Sequence, residues 1–320
     1  MSVLVFANSS EGKFKKTALE VVSYGKKVAE QLSTTVSVVT INVADASELY
    51  TYGAEKVISI SNDDLKIFNA KKYAAVLEQV ATKENSSVIV IDSSIDVLYM
   101  APILAVSLDA GYASNVVELP SSTNPFTVKR KAFSNKGFSN TVISSDKKII
   151  GVAKNSYGVH ENPVSGTTET FDVSVVDSGV SSENIEKATG QVTIADAEVV
   201  VSAGRGLKGP ENWGMIEELA SVLNAATACS KPVSDLGWRP HGEHVGQTGK
   251  PVASNLYIAI GISGAIQHLA GINASKVKVV INTDPEAPFF KAADYGIVGD
   301  AFEVVPKLIE KLKEFKAQNS

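Results

Sequence analysis

The stretch that decides the fold lies near the C-terminal end and reads LYIAIGISGAIQHLAG, residues 256–271. Its first five residues, Leu256–Ile260, form an apolar run typical of a buried strand. A glycine-rich turn follows, and after it Ile266, Leu269 and Ala270 recur at the spacing of a short helix. A strand, a tight turn and a helix in succession predict a βα unit of a parallel sheet.

The same alternation of strands and helices extends along the chain on both sides of this unit. In the first half, Val3–Ala7 reads as a strand, and the apolar residues from Ala18 to Leu32 lie on one helical face. Strands are also predicted for Val36–Val43, Val57–Ile60, Ser87–Ile91, Ala197–Ala203, Lys276–Asn282 and Gly296–Val298, and helices for Tyr73–Ala81 and for a closing segment with Leu308, Ile309, Leu312 and Phe315 on its core-facing side.

The pattern changes in the middle of the chain. Thr127–Phe133, Thr141–Ser144 and Ile149–Ala153 are strand-like pieces with polar turns between them, which predicts an antiparallel ribbon. Residues 177–190 are polar and rich in serine and glycine, as expected of a linker. We therefore predict two α/β domains, 1–190 and 191–320, each a mostly parallel doubly wound sheet, the first with an additional antiparallel ribbon.

Composition excludes several classes of protein. Of the 320 residues, 44% are hydrophobic and 20% charged, the net charge is −5, and the 30 Lys and Arg are scattered, unlike the basic surface of a nucleic-acid-binding protein. A single cysteine, Cys229, rules out an internal disulfide and a cysteine metal cage. No apolar stretch approaches the roughly 20 residues of a membrane span, and no signal-peptide pattern is present. We expect a cytoplasmic protein without membrane insertion.

The stretch GRGLKG, residues 204–209, matches the pattern G-x-G-x-x-G between a predicted strand and a helix predicted to open at Pro210. Such glycines let a phosphate approach backbone N–H groups. The acidic residue that would hold an adenine ribose should end the next strand, but that strand ends Cys229-Ser230-Lys231. The motif thus argues against NAD and favours another anionic or electron-rich ligand near Arg205.

The stretch VGQTGK, residues 245–250, resembles a phosphate-binding loop of nucleotide hydrolases but departs from it twice. His244 stands in place of the first glycine, and Pro251 replaces the magnesium-binding Ser or Thr. The segment is therefore interpreted as a flexible loop that bends around a ligand, with Gln247 and Thr248 as donors and acceptors.

The turn after residue 260 is predicted to face the same ligand. Ser263 occupies an apparent N-cap position, which would leave the N–H groups of Gly264 and Ala265 exposed. Gln267 and His268 follow within the first two helical turns. Because Asn282 and Asp300 also follow predicted strands, five segments converge on the carboxyl edge of one sheet, where open α/β sheets bind ligands.

Two other groups of residues lack the partners that a metal site or a reactive cysteine would need. His241 and His244 lie three residues apart in a loop, but no further metal-type ligands are near in sequence, so a metal site is not expected. Cys229 has no histidine partner in its neighbourhood and is interpreted as a buried structural thiol.

In order and spacing, the segments GRGLKG, CSKPVSDLGW, HVGQTGK, LYIAIGISGAIQHLAG and INTDPEAPFFKAADYGIVGD resemble the flavin-binding domain of the electron transfer flavoprotein alpha subunit. The similarity is close over residues 197–320, whereas the first two-thirds agree in length and layout. The resemblance implies a heterodimer with a beta subunit that the N-terminal domain contacts. It also implies FAD in this chain's C-terminal domain and AMP or a second FAD in the partner.

The resemblance also implies roles for individual residues. Thr248 would hydrogen-bond flavin N5, His268 would lie at the C2 carbonyl, and Lys231 replaces the family's usual arginine, so these three would tune the flavin. Many relatives also carry an Arg-Pro in the stretch where this chain has Ala153-Lys154-Asn155. The implied FAD-binding residues are Arg205, Ser230, Lys231, Val245, Gly246, Gln247, Thr248, Ser263, Gly264, Ala265, Ile266, Gln267, His268, Asn282 and Asp300.

The implied activity is that of an electron carrier, not of an enzyme with its own substrate. It would take electrons singly from flavin dehydrogenases, such as the acyl-CoA dehydrogenases of fatty acid β-oxidation, and pass them to a quinone reductase. The alternative is a subunit of a bifurcating complex that oxidises NADH through a second FAD. A nicotinamide-binding dehydrogenase and a nucleotide-binding regulatory module are further alternatives.

The relative weight of two flavin contacts can be predicted from electrostatics. A cationic His268 about 4 Å from the flavin would contribute on the order of 4 kcal/mol at an effective dielectric near 20. A Thr248 hydrogen bond would contribute about 1 kcal/mol. We therefore predict that His268→Ala lowers the flavin's first reduction potential much more than Thr248→Ala.

Overall fold

The structure is a computed structural model that describes residues 2–133, 135–182, 193–194 and 197–319. The chain divides into two compact units, and the division falls within residues 183–192, which are not described. The predicted linker boundary at 190/191 therefore lies outside the described residues.

The N-terminal unit is built on a ten-stranded sheet with the order β10-β9-β7-β11-β6-β1-β4-β5-β12, and β8 pairs with β9. A separate small hairpin joins β2 and β3. The strands are β1 Ser2–Phe6, β2 Ser9–Ser10, β3 Lys13–Phe14, β4 Thr35–Ile41, β5 Lys56–Ile60, β6 Ser86–Asp92, β7 Ala110–Val116, β8 Ser122–Thr123, β9 Phe126–Ala132, β10 Gly137–Val142, β11 Lys147–Val152 and β12 Thr167–Thr170. The helices are α1 Lys16–Gln31, α2 Ala70–Lys83 and α3 Ile95–Ser107.

Both faces of this sheet are covered, as the alternation along β1 illustrates. Val3 and Val5 pack into a core with α1, whereas Leu4 and Phe6 pack into a second core with α2 and α3. Successive residues of a strand point to opposite faces, so an unbroken apolar strand belongs in the middle of a doubly wound sheet.

The predicted antiparallel ribbon is correct only in part. The strands β9 and β10 do pair antiparallel, with Ala132 opposite Gly137. The piece predicted as Ile149–Ala153 is instead β11, which pairs parallel with both β6 and β7 inside the main sheet. Its residues Ile149 and Ile150 are both fully buried, which is typical of a central strand and not of a ribbon.

The C-terminal unit contains a five-stranded sheet in which every pairing is parallel, with the order β14-β13-β15-β16-β17. Helices α4 and α7 pack on one face, and α6 lies on the other. The strands are β13 Val199–Ala203, β14 Ala226–Cys229, β15 Leu256–Ile260, β16 Val277–Asn282 and β17 Tyr295–Val298. The helices are α4 Gly214–Leu223, α5 Lys231–Asp235, α6 Ile266–Ile272 and α7 Ala301–Gln318.

The closing helix α7 matches its predicted apolar side except at its end. Ile309 is buried, and Leu308 and Leu312 pack against the core. Phe315, predicted to face the core, is 63% exposed and lies in the last turn of the helix.

Candidate functional site

The strand order of the C-terminal unit creates a crevice at one place on the sheet edge. The chain passes from β13 to β14 on one side, and then crosses to β15, β16 and β17 on the other side. The direction in which strands are added therefore reverses between β13 and β15. Open α/β sheets bind ligands at this switch point, outside the carboxyl ends of the strands. The two turns that leave it are residues 204–209 and 261–265.

Backbone contact between these two turns explains their glycines. A Cβ atom on Gly204 would lie 2.2 Å from the carbonyl oxygen of Gly261, and one on Gly206 would lie 2.6 Å from its Cα. The Gly206 N–H donates to the Gly261 oxygen over 3.1 Å. Gly204 and Gly206 of the G-x-G-x-x-G motif therefore allow the two turns to pack backbone against backbone.

This packing corrects the interpretation of residues 204–209 as a loop whose glycines admit a phosphate, because Gly204 and Gly206 accommodate Gly261. The helix predicted to open at Pro210 is present: the 3₁₀ turn Pro210–Trp213 leads directly into α4 at Gly214.

A cavity of about 620 Å³ occupies the crevice, a volume within the range of small-molecule and cofactor sites. All but three of the predicted site residues line it. The lining residues are Arg205, Ser230, Lys231, Pro232, Asp235, His244, Val245, Gly246, Gln247, Thr248, Gly261, Ile262, Ser263, Ala265, Gln267, His268, Asn282, Asp284 and Ala287.

The three predicted residues outside the lining have other positions. Gly264 is buried with φ +87°, and a Cβ there would lie 2.5 Å from the Phe289 nitrogen. Ile266, predicted on the apolar side of its helix, is 66% exposed. Asp300 caps α7, where its carboxylate accepts from the Phe302 N–H, and it lies 3.7 Å from Lys208.

The loop 245–249 is fixed to helix α6. The Gln247 N–H donates to the Gln267 carbonyl over 2.7 Å, and the Val252 N–H donates to the Gly271 carbonyl over 2.8 Å. The segment interpreted as flexible is therefore tied at both ends, and the cavity wall that contains Gln247 and Thr248 is preformed.

The start of α6 differs from its prediction. The helix begins at Ile266 with Ala265 as its N-cap, so Ser263 lies two residues too early to cap it. Among the described residues, the N–H groups of Gly264 and Ala265 donate to no partner. These two donors are available for a ligand acceptor, as predicted, although not through a serine cap.

Two cationic side chains stand at the cavity. Arg205 and Lys231 are exposed, and neither forms an ion pair with any residue in the described part of the chain. Asp235 and Asp284 also line the cavity. The Asn282 side chain is already engaged, because its amide donates to the Ile262 carbonyl over 3.1 Å and its oxygen accepts from the Asp284 N–H.

His268 lies at the inner end of the cavity and is only 7% exposed. Its Nε2 atom is 2.9 Å from the hydroxyl of Tyr257, while Nδ1 has no well-formed hydrogen bond among the described residues. Burial lowers the pKa of the imidazole to about 4, with the neighbouring His244 acting in the same direction and the Val245 carbonyl opposing weakly.

An imidazole with this pKa is neutral at pH 7 in the chain without a ligand, whereas the cation predicted from the sequence belongs to the flavin-bound state and stays a prediction. Desolvation is the largest cause of this lowered pKa, because the ring is packed against Tyr257 and Phe289 with centroids 6.1 Å from each.

His244 is a further buried cavity residue that sequence reasoning considered only as a metal ligand. It is 3% exposed, burial lowers its pKa, and its ring lies 5.6 Å from that of His241. His241 is held apart by a 2.8 Å hydrogen bond to Ser234. The described residues contain no group of three potential metal ligands. The position of His244, directly before VGQTGK, was the signal that linked it to the cavity.

Cys229 ends β14 and is fully buried, as predicted for a structural thiol. Burial raises its pKa to about 12, so the thiolate needed for reactivity is suppressed. Its carbonyl accepts from the Val245 N–H over 3.0 Å, which joins β14 to the loop beyond the cavity.

Comparison with known proteins identifies the family. Residues 3–178 match the model described as the electron transfer flavoprotein domain, and residues 193–273 match the electron transfer flavoprotein FAD-binding domain. A relative from Bacillus subtilis, electron transfer flavoprotein subunit alpha, is 37% identical over 98% of this chain and 97% of its own. The chain belongs to the electron transfer flavoprotein alpha-subunit family.

Other members of this electron transfer flavoprotein family are similar over comparable lengths. The subunit alpha of Thermoanaerobacterium thermosaccharolyticum is 33% identical over 98% of each chain. The acryloyl-CoA reductase electron transfer subunit beta of Anaerotignum propionicum is 31% identical over 98% of this chain and 96% of its own. The cavity lies in the unit that the FAD-binding domain model matches. No helix in the described part of the chain is both long and apolar enough to cross a membrane.

Proposed function

We propose that this chain is the FAD-binding alpha subunit of a heterodimeric electron transfer flavoprotein. It takes electrons singly from flavin dehydrogenases, such as acyl-CoA dehydrogenases, and passes them to a quinone reductase, without a substrate turnover of its own. The observation that carries the proposal is the preformed cavity at the switch point of the second sheet, within the part of the chain that the FAD-binding domain model matches. We also propose a cytoplasmic location.

The donors of the cavity fit a dinucleotide with a pyrophosphate and a polar ring edge. Arg205 and Lys231 offer unpaired positive charge, and the free N–H groups of Gly264 and Ala265 offer hydrogen bonds to phosphate oxygens. The orphan Nδ1 atom of His268 is a buried polar atom that a ligand would satisfy. Bound FAD would supply a ring that accepts and releases electrons.

The residues of the loop 245–249 can hydrogen-bond to the other edge of such a ring. Thr248 is exposed on the cavity wall and offers a hydroxyl that can donate or accept. Ser230 offers a second hydroxyl at the end of β14.

The N-terminal unit presents an apolar surface for a partner subunit. Helix α3 buries Val97, Met100 and Leu104 on its inner side. Its outer side carries large exposed side chains, of which Val106 is 84% and Tyr99 69% exposed. A contiguous exposed apolar surface of this kind marks an interaction site, and we propose that the beta subunit, with AMP or a second FAD of its own, covers it.

A bifurcating, NADH-oxidising complex is the second candidate. The relative named as an acryloyl-CoA reductase electron transfer subunit supports an assembly with a reductase. The two candidates differ in cofactor content. One FAD with AMP per heterodimer supports the carrier, and two FAD support bifurcation.

The test is co-expression with the candidate beta subunit, followed by extraction and identification of the bound cofactors. We expect FAD in the parent complex. Removing both cavity charges with Arg205→Gln and Lys231→Gln should lower FAD retention at least tenfold, since each charged hydrogen bond contributes about 1.5–3 kcal/mol. The matched control is Lys276→Gln, an exposed lysine at the opposite end of the sheet beside β16. A colourless complex that refuses added FAD would refute the proposal.

A further inference from the structure

Tyr257 and His268 form a buried polar pair, of which the proposed function uses only the histidine. Tyr257 lies in the middle of β15 and is fully buried, and His268 lies on α6. A hydrogen bond of 2.9 Å joins the Tyr257 hydroxyl and the His268 Nε2 atom. The pair thus links the central strand of the sheet to the inner wall of the cavity.

The positions of the protons in this pair follow from the pKa of each group and from which atoms can donate or accept a hydrogen bond. Burial raises the pKa of the Tyr257 hydroxyl far above its usual value, so the hydroxyl keeps its proton. The buried imidazole is neutral at pH 7, since its pKa is about 4. A neutral imidazole has one N–H donor and one bare acceptor nitrogen, and the partner of one nitrogen decides which is which.

Two arrangements are possible, and the surroundings favour one of them. If the hydroxyl donates to Nε2, the ring proton sits on Nδ1, which has no hydrogen-bond partner among the described residues, and His268 lines the cavity. If instead Nε2 carried the proton, the hydroxyl would accept it, and the hydroxyl's own hydrogen would be buried without an acceptor among the described residues. An unsatisfied buried donor costs about 1–3 kcal/mol.

We propose that Tyr257 is a positioning residue that fixes His268 in the tautomer with its proton on Nδ1, so that the ring offers the cavity a hydrogen-bond donor. The inference rests on the proposed function for the identity of the acceptor, which would be a carbonyl oxygen of bound FAD. The tautomer itself is a property of the chain.

Packing holds the pair in this orientation. The rings of Tyr257 and Phe289 are parallel to within 4°, with centroids 6.4 Å apart, and His268 lies 6.1 Å from each. Phe289 is fixed in turn by its N–H, which donates to the Ser263 carbonyl over 3.0 Å. His268 therefore cannot rotate without displacing two buried rings.

The first experiment measures the tautomer in the unaltered full chain. Selective ¹⁵N labelling of histidine and long-range ¹H–¹⁵N correlation at pH 7 distinguish a protonated ring nitrogen from a bare one. We expect the His268 Nδ1 signal in the protonated range and Nε2 in the bare range. The reverse assignment would overturn the inference, and this result depends neither on FAD nor on any variant folding.

The second experiment removes the hydroxyl with Tyr257→Phe, and uses Tyr24→Phe as the matched control. Tyr24 lies in the N-terminal unit and is also fully buried. Its hydroxyl donates to the carbonyl of Glu118 in the same unit. We expect Tyr257→Phe to lower the share of the Nδ1–H tautomer and to weaken FAD binding about fivefold, the equivalent of one neutral hydrogen bond. The control should change neither quantity.

The outcomes separate the two proposals. Unchanged ¹⁵N shifts and unchanged FAD affinity in Tyr257→Phe would overturn the role of Tyr257 while leaving FAD binding intact. A parent complex that takes no FAD would overturn the proposed function, whereas the tautomer would still be read from the ¹⁵N spectrum. If Tyr257→Phe fails to fold, as judged by circular dichroism, the parent spectrum decides.

Discussion

Gly246 and Gly271 lie in direct backbone contact. A Cβ atom on Gly271 would be 2.6 Å from the Gly246 nitrogen and 2.7 Å from its Cα. This contact presses the loop that lines the cavity against α6, and the hydrogen bond from Gln247 to Gln267 lies beside it. The geometry of the ligand wall therefore depends on a residue that does not itself line the cavity.

Gly271→Ala should push this loop away from the helix, because the added methyl group would lie 2.6 Å from the Gly246 nitrogen. We expect a loss of about 1–3 kcal/mol in the free energy of unfolding, as for other overpacked sites, together with faster release of FAD. Urea titration and flavin fluorescence measure the two effects. The control is Gly214→Ala at the start of α4, where φ is −53° and a Cβ would meet nothing within 4 Å. An equal effect of both substitutions would contradict the prediction.

The neutral state of His268 changes the ranking of the flavin contacts predicted from the sequence. If the imidazole stays neutral with FAD bound, His268→Gln and Thr248→Ala should each shift the flavin midpoint potential by only about 45 mV, the equivalent of about 1 kcal/mol for one electron. Potentiometric titration of the loaded complex measures both shifts. A shift for His268→Gln several times larger than that for Thr248→Ala would mean that FAD binding makes the imidazole cationic.

The stability of the FAD-free chain should fall as the pH is lowered from about 6.5 to 4. In that range an unfolded His268 binds a proton, whereas the folded side chain, with its pKa of about 4, does not. Stability therefore rises with pH, and the cost at the acid end is about 3 kcal/mol. His268→Gln should flatten this part of the profile in urea titrations at several pH values. His244, whose pKa is also lowered, contributes in the same direction to both proteins.

The outer side of α3 should be required for assembly with the beta subunit. We expect Val106→Asp to reduce co-purification of the two subunits by at least tenfold, because it places a charge in an apolar contact. Ile67→Asp is the control, since Ile67 is an exposed apolar residue of the same unit that lies outside α3. Retained assembly in Val106→Asp would place the contact elsewhere on the chain.

The sequence predicted the layout of the C-terminal unit well because each signal was local. Leu256–Ile260 forms β15 with the predicted bounds. Most predicted ligand residues line the cavity, since each follows a strand of one parallel sheet.

Helix α3 and strand β7 were not predicted. Helix α3 is apolar on both sides and contains Pro102, so it shows no amphipathic stripe.

The errors concern features that depend on distant contacts. The glycines at 204 and 206 are explained by Gly261, more than fifty residues away, so no local pattern shows that they accommodate backbone. The pKa of His268 depends on how completely its ring is buried beside Tyr257 and Phe289. The pairing of β11 depends on which strands lie beside it, which the sequence around Ile149 does not state.

The backbone contact between the turns 204–209 and 261–265 constrains how this site can be re-engineered. Substitution there cannot introduce new chemistry, because any side chain at Gly204, Gly206 or Gly261 would collide with the opposite turn. The rim is different, since Lys231, Gln247 and Asp284 are all exposed. Directed evolution toward an altered redox cofactor should therefore accumulate its accepted changes at the rim and leave the three glycines untouched.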